Sequence, residues 1–188
     1  MHVVMTHKRA QPVSIGLLAF GGVVVAITVT RVWGATGAAI VLAFVIASCA
    51  AVVDMRIGRL PNRLVGLTGV PTLAVVGAAL DNGRGLEAVS SVTLGAVAFA
   101  GPMFVVHLVS PSAIGFGDVK LAAALGAALG LIEPGLGLLA LCIASAVTAI
   151  AGLLGRHKTL AFGPGLVTGA VVALLIAAHL GEGALQWQ

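Results

Sequence analysis

The chain alternates between long apolar runs and short interruptions that contain charged residues, glycine or proline. Runs of about 20 apolar residues are what a membrane-spanning α-helix requires. Seven candidate spans result, at residues 13–30, 33–53, 63–80, 88–109, 119–132, 135–154 and 161–180. The pattern therefore predicts an all-α, polytopic transmembrane helix bundle of about seven spans, with six also possible.

The fifth candidate span, 119–132, is shorter than the others. Its fourteen residues cover about 21 Å at 1.5 Å per residue, less than the bilayer core of about 30 Å. We therefore expect this helix to sit inside the bundle, to start below the membrane surface, or to extend into a flanking loop. Gly126 and Gly130 form a GxxxG pattern on it, which predicts a face for close helix packing.

The composition excludes other classes of protein. Sixty per cent of the residues are hydrophobic and 9 % are charged, against roughly 45–50 % and 25 % in soluble domains. The same values exclude a disordered chain. No repeat or long linker divides the sequence, so we expect one membrane-embedded domain over residues 1–188. Lys8 and Arg9 precede the first apolar run, whose length favours a retained helix over a cleaved signal peptide.

The charged residues between the spans predict the orientation. With the N-terminus in the cytoplasm, only Arg31 and Arg84 of the ten basic residues face the outside. The eight on the cytoplasmic side are Lys8, Arg9, Arg56, Arg59, Arg63, Lys120, Arg156 and Lys158. This distribution follows the positive-inside rule, which also explains the net charge of +4 without nucleic-acid binding. The acids that fall outside are Asp81, Glu87, Glu133 and Glu182. Asp54 and Asp118 are then the two cytoplasmic carboxylates.

Asp54 and Asp118 each lie at the end of a predicted span. Asp54 closes the second span, and Asp118 opens the fifth directly after Gly115-Phe116-Gly117. Taken singly, Asp118 has a simple interpretation as a helix N-cap and Asp54 as a charge paired with Arg56. Ionisable residues at the membrane are nevertheless costly and mark functional sites. Two carboxylates that share one proton can activate a water and protonate a leaving amine, which is what peptide-bond hydrolysis needs.

Helix polarity predicts a difference between these two carboxylates. Asp118 lies at a helix N-terminus, which favours the anion, and Asp54 lies at a helix C-terminus, which disfavours it. We therefore expect Asp118 to be ionised more often than Asp54 in the resting pair, as populations of one coupled system.

No other group of residues indicates a catalytic or metal site. Cys49 and Cys142 lie far apart in apolar runs, and the histidines, including His107 and His179, are not at ligand spacing from Cys, Asp or one another. The serines belong to no GxSxG or SxxK motif. We therefore expect no metal and no cofactor, and structural or solvated roles for the histidines.

Three segments resemble motifs of the type IV prepilin peptidases, which are GxGD membrane aspartyl proteases. Asp54-Met-Arg56-Ile-Gly-Arg-Leu-Pro61-Asn62 is similar to the first aspartate motif of that family. Gly115-Phe-Gly117-Asp118-Val-Lys120-Leu is similar to the second, and Phe162-Gly163-Pro164 matches an element before the last helix. The three occur in the family's order and cover nearly the whole chain. Ala113-Ile114 stands where Gly-Met is common, a mild departure.

The resemblance implies a function and a set of site residues. Asp54 and Asp118 would be the catalytic aspartates, acting at the cytoplasmic face of the inner membrane on prepilin or pseudopilin precursors. Pilus or type II secretion-like assembly machinery would be an indirect partner. The residues implied to bind substrate or shape the site are Gly115, Gly117, Lys120, Arg56, Pro61, Asn62, Phe162, Gly163 and Pro164. The paired CxxC motifs of the long members' methyltransferase domain are missing, so a short form is expected.

Lys120 has two interpretations, as a group that positions Asp118 or as one that faces lipid headgroups. Two other functions also remain open at this point. A small ion or proton-coupled transporter would use the same aspartates as a relay, although no predicted span carries a carboxylate in its middle. A catalytically silent subunit of a pilus or secretion assembly would tolerate changes at both.

Overall fold

The computed structural model of the chain describes residues 12–57, 61–155 and 162–184, with side-chain surroundings for residues 23, 25–54, 61–154 and 162–180. The described residues form six α-helices. These are α1 (Pro12–Ile57), α2 (Asn62–Asp81), α3 (Gly85–Val109), α4 (Phe116–Gly130), α5 (Leu136–Gly155) and α6 (Gly163–Ala184). They follow the predicted spans to within a few residues, with the first two joined in α1. The predicted all-α membrane bundle is confirmed.

Five stretches of the described residues are long and apolar enough to cross a membrane. They are Val25–Asp54, Asn62–Asp81, Gly85–Val109, Leu136–Leu154 and Gly163–Leu180. The short helix α4, predicted as a span at residues 119–132, is not among them, because it has only 15 residues.

The long helix α1 is interrupted at Gly34, whose φ of 55° and ψ of −127° are not helical. A positive φ is a conformation that glycine adopts at little cost. Just beyond it, a Cβ on Gly37 would collide with the carbonyl oxygen of Val29. Residues eight apart in a continuous helix are about 12 Å apart, so the chain must bend sharply here. The two segments on either side of Gly34 correspond to the spans predicted at 13–30 and 33–53.

The helix α4 lies at the centre of the bundle and contacts each of the other five helices. Its 15 residues span about 22 Å. The residues buried along it are Val119, Leu121, Ala122, Leu125, Gly126, Ala128, Leu129 and Gly130. The expectation that this short helix sits inside the bundle is therefore confirmed.

Glycines bring the backbones of α3 and α4 into direct contact. A Cβ on Gly126 would collide with the carbonyl oxygen of Gly95, and one on Gly130 with that of Ser91. The Ser91 hydroxyl donates to the Gly130 carbonyl across the same contact. The predicted GxxxG packing face of α4 is confirmed, because only glycine permits this approach.

The outer surface of the bundle is apolar. Leu86, Val109, Leu153 and Leu154 are each more than 80 % exposed, whereas many of the fully buried residues are alanines, such as Ala47 and Ala122. Large apolar side chains outside and small ones between helices are typical of a bundle that is solvated by lipid. The chain is a multi-pass membrane protein.

Candidate active site

The three sequence motifs meet at one end of the bundle, which we call the motif end. Here the last turn of α1 lies beside the first turns of α2, α4 and α6. A Cβ on Gly163 would lie 3.3 Å from Asp54 Oδ2, and Lys120 Nζ donates to Asn62 Oδ1 at 3.2 Å. The Asp54 charge also acts on Asp118. Segments more than a hundred residues apart in sequence are thus neighbours.

Asp118 lies in the first turn of α4, three residues after the N-cap. The N-cap is Gly115, with extended φ of −68° and ψ of 140°, and its carbonyl accepts the Asp118 backbone N–H at 3.0 Å. In return, the Gly115 backbone N–H hydrogen-bonds the Asp118 carboxylate. This reciprocal arrangement is the N3 half of a capping box. The interpretation of Asp118 as the N-cap is therefore wrong.

The surroundings of Asp118 favour its protonated form. Burial and the negative charge of Asp54 raise the pKa of Asp118 to about 6, although the Gly115 N–H lowers it. Helix polarity alone predicted a readily ionised Asp118, but burial and the Asp54 charge outweigh the helix terminus. Asp118 Oδ1 is buried and has no hydrogen-bond partner among the described residues, so it is available to a proton, a water or a substrate carbonyl.

Asp54 lies in the last turn of α1 and is only 9 % exposed. The segment Phe162-Gly163-Pro164 begins α6 directly against it. The Phe162 carbonyl accepts the Leu166 N–H at 3.1 Å, and its side chain packs on the core, which fixes the start of the helix. Gly163 is then the residue that faces Asp54, and the positive end of the α6 dipole lies close to the carboxylate.

The remaining motif residues connect α2 to α4. Pro61 is extended, with φ of −68° and ψ of 119°, and is the N-cap of α2. Lys120 Nζ, besides donating to Asn62, lies 4.9 Å from the centroid of the Phe116 ring, within the range of a cation–π interaction. Lys120 therefore ties the second motif to the first, through partners that the sequence did not indicate.

Two further predicted site residues are Gly117 and Arg56. Gly117 lies half-buried in the first turn of α4, between Phe116 and Asp118. The side chain of Arg56 lies outside the described residues, so its predicted pairing with Asp54 stays a prediction. Within the described part of the chain, no group of three or more His, Cys, Asp or Glu side chains could hold a metal ion.

His107 contacts the start of the second motif, which the sequence did not indicate. Its Nδ1 lies 2.8 Å from the Ile114 carbonyl oxygen, and its ring centroid lies 5.4 Å from that of Phe116. The signal available in the sequence was weak: one polar side chain near the end of an apolar span, just before the glycine-rich motif. Its apolar neighbours favoured a purely structural role.

The sequence profile of the type IV leader peptidase family matches residues 39–154. The chain belongs to this family. The matched range contains Asp54 and Asp118, together with the first and second motifs, whereas Phe162–Pro164 lies beyond it. Searches of curated proteins and of solved structures each gave no significant match.

Proposed function

We propose that this leader peptidase relative is an aspartyl endopeptidase that removes the short leader peptide from prepilin or pseudopilin precursors. Asp54 and Asp118 activate the attacking water and protonate the products. The observation that carries the proposal is the convergence of both carboxylates at one buried end of the bundle, in a chain of a peptidase family.

The protonation states of the two carboxylates would be the reverse of those expected from helix polarity, with Asp118 protonated and Asp54 ionised in the resting pair. Asp118 holds the shared proton, which is supported by its raised pKa of about 6 and by an Oδ1 that has no hydrogen-bond partner in the described part of the chain. Asp54, beside the positive end of α6, is the carboxylate that takes a proton from water. The water oxygen then attacks the scissile carbonyl carbon while Asp118 protonates the carbonyl oxygen. Asp54 then passes its proton to the amide nitrogen, Asp118 takes a proton back from a hydroxyl of the tetrahedral intermediate, and the C–N bond breaks.

The motif end would face the cytoplasm in the inner membrane. The support is the predicted positive-inside distribution, which puts eight of ten basic residues on the side of Asp54 and Asp118. The cleaved product would remain in the membrane for assembly. The pilus or type II secretion-like assembly machinery would then be an indirect partner.

The test of the proposal is the rate at which a co-expressed prepilin precursor is shortened. Asp54→Asn and Asp118→Asn should each lower the rate by about 10²-fold or more, because removal of a general acid or base costs roughly 10²–10⁴-fold. Precursor and product are followed by gel electrophoresis over time, with the enzyme quantified in the membrane fraction.

Asp81→Asn is the matched control, since Asp81 is exposed at the opposite end of α2 and should leave cleavage unchanged. Cleavage at the wild-type rate in either Asp54→Asn or Asp118→Asn would contradict the proposal. A wild-type chain that leaves the precursor uncut but conducts ions through Asp54 and Asp118 would indicate the transporter instead.

A further inference from the structure

His107 lies in the last turn of α3 and reaches the loop that leads into α4. Its Nδ1 lies 2.8 Å from the Ile114 carbonyl oxygen. A carbonyl oxygen can only accept, so Nδ1 carries the hydrogen and donates it. The ring also lies against Phe116, the first residue of α4. His107 thus contacts the residues on both sides of Gly115, the first residue of the second motif.

The carbonyl that His107 binds belongs to the same peptide group as the Gly115 N–H. In a planar trans peptide the C=O and N–H point in opposite directions. The carbonyl oxygen of this group is fixed by His107, and its N–H is directed at the Asp118 carboxylate. A Cβ built on Gly115 would lie 3.5 Å from Asp118 Oδ2, which agrees with that direction. One rigid plane therefore connects the imidazole to the carboxylate.

We propose that His107 is a positioning residue for Asp118: by holding the Ile114–Gly115 peptide plane, its imidazole N–H keeps the Gly115 N–H on the carboxylate. A bond to the carbonyl also polarises the peptide and strengthens the bond that its N–H donates. The relevance to catalysis rests on the proposed function, whereas the effect on the carboxylate does not depend on it.

Few other charged groups lie near the path from His107 through the Ile114–Gly115 peptide to Asp118 among the described residues; we call this path the His107 relay. Asp54, from α1, acts on Asp118 directly and raises its pKa. Lys120, from α4, lies on Phe116 and binds Asn62 of α2. Neither contacts the Ile114 carbonyl, whose hydrogen bond comes from His107. A change at His107 should therefore reach Asp118 through the peptide plane.

The first experiment measures the Asp118 pKa by infrared titration of the protein in lipid nanodiscs. The carboxyl band is assigned by its loss in Asp118→Asn. His107→Leu removes the donor and should raise the Asp118 pKa by about 0.3–1 pH unit, because the anion is less well stabilised. His107→Asn keeps an N–H donor close to the Nδ1 position and should restore most of the wild-type pKa. His179→Leu, exposed on α6, is the control and should change nothing.

Equal Asp118 pKa values in wild type and His107→Leu would overturn the proposal, as would equal shifts in the Leu and Asn variants. Cleavage assays separate this result from the proposed function. If His107→Leu shifts the Asp118 pKa but the wild-type chain cuts no precursor, the His107 relay is supported and the proposed peptidase activity is contradicted.

A second measurement needs no substitution at His107. In protein labelled with ¹⁵N-Gly and ¹⁵N-His, ionisation of Asp118 should move the Gly115 amide and the His107 Nδ1 signals with one common midpoint. The common step should vanish in Asp118→Asn. Independent titration of the two signals would overturn the relay even if His107→Leu failed to fold.

Discussion

At neutral pH the charged form of Asp118 is largely buried, and this lowers the free energy of unfolding of the protein. Its pKa is 3.8 in an unperturbed aspartate and about 6 in the folded chain. Between these values the unfolded chain loses a proton that the folded chain retains, so the stability falls as the pH rises through this window. The loss of stability levels off about one pH unit above the folded-state pKa, where both states have lost the proton. Retention of such a residue is typical of functional sites, where perturbed pKa values cluster.

We therefore expect Asp118→Asn to raise the melting temperature relative to wild type at about pH 8 and to have little effect at about pH 4. Asparagine resembles the protonated acid and carries no charge, so it lacks the pH-dependent loss of stability. Thermal unfolding in nanodiscs at a series of pH values measures the difference. Asp81→Asn is the control, and a melting-temperature difference for Asp118→Asn that is constant across pH would contradict the assignment.

At the scale of helices, the contact between α6 and the last turn of α1 gives Asp54 its surroundings. Gly163 lies between them, and a Cβ there would meet Asp54 Oδ2 at 3.3 Å, closer than ordinary van der Waals contact. Ala51, one turn before Asp54, lies on the same contact, 3.8 Å from the same position. A Cβ at this position would push the carboxylate by a few tenths of an ångström, which favours glycine within the third motif.

Gly163→Ala should lower the cleavage rate roughly tenfold, because a displacement of the Asp54 carboxylate by a few tenths of an ångström disturbs the alignment of reacting groups. Gly69→Ala in α2 is a matched control, since a Cβ there meets nothing within 4 Å. Initial rates of precursor shortening, normalised to folded enzyme, measure the effect. A wild-type rate in Gly163→Ala would show that this contact does not align Asp54.

At the scale of the whole molecule, the bundle has two chemically different ends. The motif end carries Asp54, Asp118 and Lys120, whereas the opposite end carries Asp81, Arg84 and the exposed turn between α2 and α3. Between the two ends, many large apolar side chains are exposed on the outside of the bundle. Lipid therefore surrounds the middle of the bundle, and each end must face a separate aqueous compartment.

Cysteine labelling of intact cells tests which end faces the cytoplasm. In a background with Cys49 and Cys142 replaced by alanine, Asn82→Cys in the α2–α3 turn should react with a membrane-impermeant maleimide. Ser112→Cys, before the glycine-rich motif, should react only after permeabilisation. Both positions are exposed, so access depends on the compartment alone. The reverse labelling pattern would invert the proposed orientation.

The sequence by itself determined the helical membrane class, the helix boundaries to within a few residues, the family and the two candidate aspartates. These follow from local information: the length of an apolar run and short motifs of fixed spacing. Burial of the short helix α4 also followed from its length, because a helix of fourteen or fifteen residues is shorter than the hydrocarbon core and is therefore expected inside the bundle.

Only the tertiary structure decided how the motif residues act on one another. Burial and the neighbouring Asp54 reverse the effect that helix polarity alone would have on Asp118, and α6 supplies the neighbour of Asp54 from more than a hundred residues away. The bond from His107 to the Ile114 carbonyl depends on the path of one loop. Desolvation and charge–charge interaction depend on distances between helices, and a linear pattern of residue types does not contain those distances.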